Sequence, residues 1–411
     1  MPTPDARLSP QLLAAAPHRL LFFAGAANVL LAMAWWTLWL ADSRWGWRLL
    51  PETPLFAGWV HALVMQYQLL PPFMFGFLLT VFPRWTGFPD LKRWHHVPVG
   101  AGLLGGQVVV VAGMLAGLEA WVLVGWLMGI AGWSWGLWQL AGVLAAERRA
   151  HQGPTWHAWS CLAAMALGLI GMLLVLGHML VGNPAWTTLA IKLGTFGLLL
   201  PIYLTVAHRM FPFFAGNAVP GYRPWRPMWL LAVAWPLLQL HMVLELRQAY
   251  AWLWLADLPL LALTGHMLWR WWPRGRAPGL LWVLFAGFAW LPLAFALYVL
   301  HSLLIAGDGF SGLGRAPAHA LFIGFFGSIL VAMVTRVTQG HSGRPLTMPA
   351  VGWFAFAVLQ LVTVLRVLGE VLPDPGAWQL ASAVGWLLAF TPWALRHLAI
   401  YLQPRRDGKP G

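Results

Sequence analysis

Twelve long apolar runs, each cut from the next by a few polar or turn-forming residues, limit what this chain can become. A bilayer core takes about 20 apolar residues per helix. Runs of that length lie near 18–41, 55–82, 97–117, 120–146, 156–181, 185–212, 227–247, 250–272, 278–306, 316–338, 348–370 and 376–402. Turn chemistry separates them, as at Gly182-Asn183-Pro184, Pro273-Arg274-Gly275, Ala306-Gly307-Asp308-Gly309 and Leu372-Pro373-Asp374-Pro375. The least marked break is Gly117-Leu118-Glu119. The pattern predicts an all-α, polytopic membrane helix bundle of about twelve transmembrane helices. It forms one integral membrane domain over 1–411, with a short N-terminal segment (1–17) and a short basic tail (403–411).

Composition agrees where it bears on this expectation. The chain is 60% hydrophobic and only 9% charged, whereas soluble domains carry roughly 25% charged residues. Its thirty Trp suit the membrane–water interface, where the ring is half apolar and its N–H needs a partner. A net charge of +13 would suggest nucleic acid in a soluble chain. Here the basic residues are scattered over loop ends, so no nucleic-acid partner is expected. Cys161 is the single cysteine and excludes an internal disulfide. The first run, Leu20 to Leu40, is too long for a signal h-region and is expected to stay as the first helix.

Basic residues then set the orientation. With the N-terminus cytoplasmic, inner segments hold eighteen Lys and Arg and outer loops five. The positive-inside rule therefore predicts an N-in, C-in topology. Gly102/Gly106, Gly113/Gly117 and Gly125/Gly129 have small-xxx-small spacing and are expected to let helices pack closely. No clear short-period repeat stands out.

Fourteen His are present and many fall inside the spans, where ionisable side chains are costly and commonly functional. The topology puts His61, His178, His241, His301 and His319 in one layer, roughly within 10 Å of the outer surface at 1.5 Å per residue. His208 and His266 form an inner layer, with His18 and His341 at the inner edge. Imidazole suits iron and copper, and haem iron takes axial His, so the five outer residues are candidate haem or metal ligands, and His208 and His266 are candidate cofactor-binding residues as well. The plain alternative for any one of them is a hydrogen bond to a neighbouring helix. Met65 lies four residues after His61, on the same helix face. It is a candidate axial thioether, against the simpler reading of a gap-filling core Met. Lys192 and Asp257 are further intramembrane charges. They are candidates to pair with each other or to line a polar path, and Lys192 is also able to snorkel. Arg84, Arg209 and Arg336 close inner helix ends and are candidates for haem propionates, with lipid headgroups the simpler partner. No Walker loop, Rossmann fingerprint, nucleophile elbow or Cys-pair motif is present.

Several segments together resemble the NnrS family, haem- and copper-containing membrane proteins linked to nitric oxide and denitrification. Arg19-Leu20-Leu21-Phe22-Phe23 leads the first helix. Gly76 to Gly87 (GFLLTVFPRWTG) is similar to the family's GFLLTxxPxWTG. Arg209, Pro212, Phe214 and Asn217 match RxxPxFxxN. His319-Ala320-Leu321 with Gly324 and Gly327 resembles HALxxGxxG, and Thr335-Arg336 followed by Gly340-His341-Ser342-Gly343-Arg344-Pro345 resembles MTRxxxGHTGRP. The chain departs from the family where HAHEM reads His61-Ala62-Leu63-Val64-Met65, losing the second His and the Glu. Ile329 replaces a Met, and His208 stands where a small residue is usual. The resemblance implies haem b, with copper as a second metal whose binding the HAHEM departure puts in question. It further implies a bacterial inner (cytoplasmic) membrane setting, nitric oxide or a similar small gas as ligand, and a respiratory-chain partner. A role in denitrification or nitrosative-stress defence follows, including nitric oxide oxidoreduction. A secondary transporter of a small solute, or an accessory protein for another respiratory enzyme, are the alternative readings.

Overall fold

A computed structural model gives the fold and describes residues 8–150, 156–309 and 313–408. Arg7 and Lys409, counted above as inner charges, lie outside these residues. Twelve helices among the described residues are long and apolar enough to cross a membrane. They are α1 (Pro17–Trp45), α2 (Ala57–Thr86), α3 (Arg93–Ala116), α4 (Glu119–Arg149), α5 (Trp156–Val181) and α6 (Pro184–Ala218). There follow α7 (Trp229–Leu246), α8 (Tyr250–Trp271), α9 (Gly279–Gly307), α10 (Ala316–His341), α11 (Ala350–Leu368) and α12 (Pro375–Tyr401). Every expected run is recovered with ends shifted by a few residues, and no strand occurs among the described residues.

The chain divides into two compact units. The first comprises 1–198, 337–345 and 390–411, and the second comprises 199–336 and 346–389. In the first, Trp133 and Phe75 meet edge to face at 5.3 Å. The indole N–H groups of Trp133 and Trp126 each donate to a carbonyl of α5, on Met165 and Met172, at 2.9 Å. In the second, Phe211, Phe285, Phe288 and Trp271 form the buried aromatic centre. Trp290 there donates to Gln360 Oε1, whose amide donates to Ser328 Oγ. The Trp residues are therefore only partly an interfacial belt. Trp133, Trp271 and Trp393 are fully buried, which an indole tolerates when its N–H has an acceptor.

The glycine spacing works as expected between α3 and α4. A Cβ on Gly106 would meet the Gly125 carbonyl oxygen at 2.6 Å, and one on Gly102 would meet Gly132 Cα at 2.6 Å. Gly117 differs from the expectation. It caps α3 in the left-handed conformation (φ +69°), and the next N–H, on Leu118, returns to the Gly113 carbonyl at 2.9 Å. That cap makes the break that was least marked in the sequence. Gly106→Val is expected to destabilise the protein by about 1–3 kcal/mol, because backbone cannot yield as a side chain can. A lower denaturation midpoint in mixed micelles is the readout, and an unchanged midpoint would contradict the close approach.

Among the described residues, four spans contain π-helical stretches: Met65–Leu69 in α2, Ala101–Gly105 in α3, Leu193–Leu199 in α6 and Ala320–Gly327 in α10. Proline explains the placement of two of them. Pro71-Pro72 and Pro201 follow the stretches in α2 and α6, and their missing N–H groups would have bonded back into those stretches. That breaks the i→i−4 ladder, and the wider turn absorbs the mismatch. Such turns recur at functional sites. Both His-Ala-Leu tripeptides sit beside one: His319 immediately precedes the stretch in α10, and His61 lies four residues before that in α2.

Candidate cofactor sites

Two outer histidines belong to the first unit. The His61 ring stacks on Trp36 at 4.4 Å, and Trp36 in turn stacks on Trp39. His178, near the end of α5, places Nδ1 2.6 Å from Thr187 Oγ1 on α6, with Trp59 edge-on at 6.0 Å. Met65 opens the π-helical turn of α2 and is half-buried.

Three belong to the second unit. His319 donates from Nδ1 to the Arg315 carbonyl at 3.0 Å. A carbonyl only accepts, so Nδ1 carries the proton and the lone pair of the neutral ring sits on Nε2. His301, on α9, has no hydrogen-bond partner for Nδ1 among the described residues. His241 is fully buried on α7, with Nδ1 2.6 Å from Asp257 Oδ1 and Nε2 3.5 Å from Glu245 Oε2. Tyr298 packs edge-on to the same ring at 4.8 Å. A ring held by carboxylates at both nitrogens is a charge network, and it differs from the other outer histidines in that respect. Asp257 thus has His241 as its ion-pair partner. Glu245 was missed in the sequence, although its i,i+4 spacing from His241 is the signal that finds it.

The inner pair sits among separate neighbours within the second unit. His208 is fully buried and its Nε2 lies 3.1 Å from the Pro227 carbonyl. His266 packs against Trp225 at 5.1 Å and Trp269 at 5.6 Å. Tyr222, in the loop after α6, donates to the Trp271 carbonyl at 3.0 Å, and burial pushes its phenol up to about 12. The Pro227 carbonyl and Trp225 supply those contacts from the 219–228 segment; the run expected at 227–247 begins as a helix only at Trp229, which leaves Pro227 in the loop.

Two of the arginines fall far from the outer histidine on their own helix. Arg84 is twenty-three residues after His61 on the same helix, about 35 Å at 1.5 Å per residue. Arg336 is seventeen residues after His319, about 25 Å by the same rise. One haem cannot take its axial ligand from one end of such a helix and its propionate partner from the other. Arg336 instead lies over the Phe214 ring at 4.0 Å, a cation–π contact. Arg209 lies in the last third of α6, next to His208.

Among the described residues, no three His, Cys, Asp or Glu side chains are grouped so as to hold a metal ion. A ligand that brings its own equatorial donors, as a porphyrin does, needs only one or two protein ligands. The Nδ1 contact of His319 fits that role, and that of His178 fits it with the Thr187 hydroxyl accepting. Metal-binding His commonly gives one ring N–H to an oxygen partner and ligates with the other nitrogen.

Helices, buried histidines and charge distribution define a multi-pass, all-helical membrane protein. The family model described as NnrS protein matches residues 12–405, nearly the whole chain, and the protein belongs to that family. Membership fits, in general terms, a part in the response to nitric oxide. No curated protein matches the chain.

Proposed function

We propose that the protein binds haem b within the bacterial cytoplasmic membrane, with both termini on the cytoplasmic side, and that it handles nitric oxide there. His178 and His319 are the axial ligands this reading favours, with His61 and His301 as further ligands; His241 is assigned to the charge network instead. The observation that carries the reading is the ring anchoring. Nδ1 of His178 and of His319 each meets an oxygen within its own unit, which fixes the ring; the Arg315 carbonyl requires the proton on Nδ1 of His319 and leaves Nε2 to ligate, and His178 matches it with the Thr187 hydroxyl as acceptor. Haem iron with an open position binds diatomic gases such as nitric oxide directly. The chain's own contribution is to hold each imidazole in one orientation inside an apolar, water-poor bundle that neutral gas enters through lipid. Copper is left out of the proposal because Leu63 and Val64 stand where HAHEM has its second His and its Glu, which removes two donor side chains.

Protein purified from haem-supplied cells should show a Soret band and a pyridine haemochrome signal, and nitric oxide should shift the band. A colourless protein would sink the haem reading. Within that frame, Thr187→Val removes the anchor of His178 while leaving the ligand itself. It is expected to weaken haem retention about 10–100-fold, measured by haem transfer to apomyoglobin.

A second reading is favoured by one observation, the buried His241–Asp257–Glu245 network on α7 and α8. Buried ionisable groups in a bundle also mark ion-coupled carriers. That reading predicts solute flux in proteoliposomes independent of haem content.

A further inference from the structure

Motif residues far apart in the chain, which the haem reading leaves unused, come together at one end of the first unit. His18 and His341 pack with ring centroids 4.1 Å apart and planes tilted by 38°, although 323 positions separate them in the sequence. The charged and titratable groups facing His18 are His341, Arg19, Arg84 and His96. Those facing His341 are Arg84, Arg405, Arg19 and the carboxylate of Asp90. Asp407 is taken up by Arg405, which grips both of its oxygens at 2.9 and 2.6 Å. Positive charge is therefore gathered around the imidazole pair with little carboxylate to balance it, a costly arrangement unless an anion joins it.

The framework is fixed by the chain's own ends. Arg19 is buried (4% exposed) and donates through Nη1 to the carbonyls of Tyr401 and Gln403 at 3.1 and 2.9 Å. Arg344 donates to Gln403 Oε1 at 2.8 Å. Gly343 takes the left-handed conformation (φ +66°), and a Cβ there would meet the Asp407 carboxyl at 2.8 Å. Unpartnered nitrogens nevertheless remain over, two of them guanidinium donors. Nδ1 of His18 (5% exposed), Nε of Arg19 and Nη1 of Arg344 have no partner among the described residues. Burial, with Arg406, Arg396 and Arg19 nearby, holds the Arg344 guanidinium below its ordinary value. Exposure rises from buried His18 through half-buried His341 to exposed Arg84, so the group opens to the outside on the Arg84 side.

We propose that His18, Arg19, Arg84, His341 and Arg344 form an oxoanion site of the phosphate class, taking either a phospholipid phosphate or a free oxoanion. The site stands independently of haem, and buried, spare N–H donors are what such a ligand satisfies.

The test uses full-length protein, delipidated in detergent, with inorganic phosphate as probe and chloride at equal ionic strength as control. Phosphate should raise the denaturation midpoint where chloride does not, and Arg84→Gln and His341→Gln should each weaken the apparent affinity about tenfold or more. Arg84 is exposed, so its variant tests the site without threatening the fold. Native mass spectrometry separates the two sources. A phospholipid retained by the wild type and lost in both variants identifies the lipid, whereas phosphate binding without retained lipid identifies a free oxoanion. Equal effects of phosphate and chloride, with no retained lipid that depends on Arg84 and His341, would overturn the proposal.

Discussion

Replacing His319 by Ala is expected to strip or rearrange the haem chromophore, and His178→Ala is expected to do the same in the other unit. Loss of an axial ligand should exceed the about 10–100-fold cost of disturbing the group that orients it. Each variant should therefore lose much of its Soret absorbance or shift it to that of a differently ligated iron. The comparison that gives the experiment its force is His266→Ala. That ring is packed between Trp225 and Trp269, and its loss should leave the spectrum as it is. Equal, unchanged spectra in His178→Ala and His319→Ala would reject the ligand assignment even if haem were present. An equal loss in His266→Ala would show that the bundle, not the ligand, had been damaged.

How much of this was legible beforehand differs by level. The spans were, because roughly 20 apolar residues leave few choices in a bilayer, and all twelve runs became helices. Close helix packing at Gly102, Gly106 and Gly125 was legible too in their spacing, although the pairing of α3 with α4 was not. The π-helical stretches were not, because each depends on how proline and glycine are reconciled with neighbouring helices. Partners across the bundle were harder still. Nothing in the sequence near His178 names Thr187, and nothing near His18 names His341. Depth put His61 near the outer end of its helix and Arg84 at the inner end, about 35 Å away along it, but named no partner for either. Topology gave each residue a height, but rotation about the helix axis decides what its side chain meets. The sequence says little about that angle when a span is apolar on every side.

Asp257 provides the largest expected effect on stability. Its side chain is fully buried, as is that of His241, and the two meet at 2.6 Å. Removing one member of a buried ion pair costs about 3–5 kcal/mol, since the other is left in a low-dielectric interior without its partner. Asp257→Leu should therefore lower the denaturation midpoint in mixed micelles far more than Gly106→Val does. Asp257→Asn divides the effect into its parts. The amide oxygen still accepts from Nδ1, so if the hydrogen bond dominates, Asn restores most of the stability. If charge dominates, Asn behaves nearly as Leu does, because Glu245 at 3.5 Å then becomes the nearest carboxylate to the imidazole. Charge is the expected answer, since the ring lies between two carboxylates and Asp257 Oδ2 has no hydrogen-bond partner among the described residues. A leucine variant as stable as the wild type would mean that the network contributes nothing to folding. Its retention inside the membrane would then have to be explained by function alone, which is the condition under which the carrier reading gains over the haem reading.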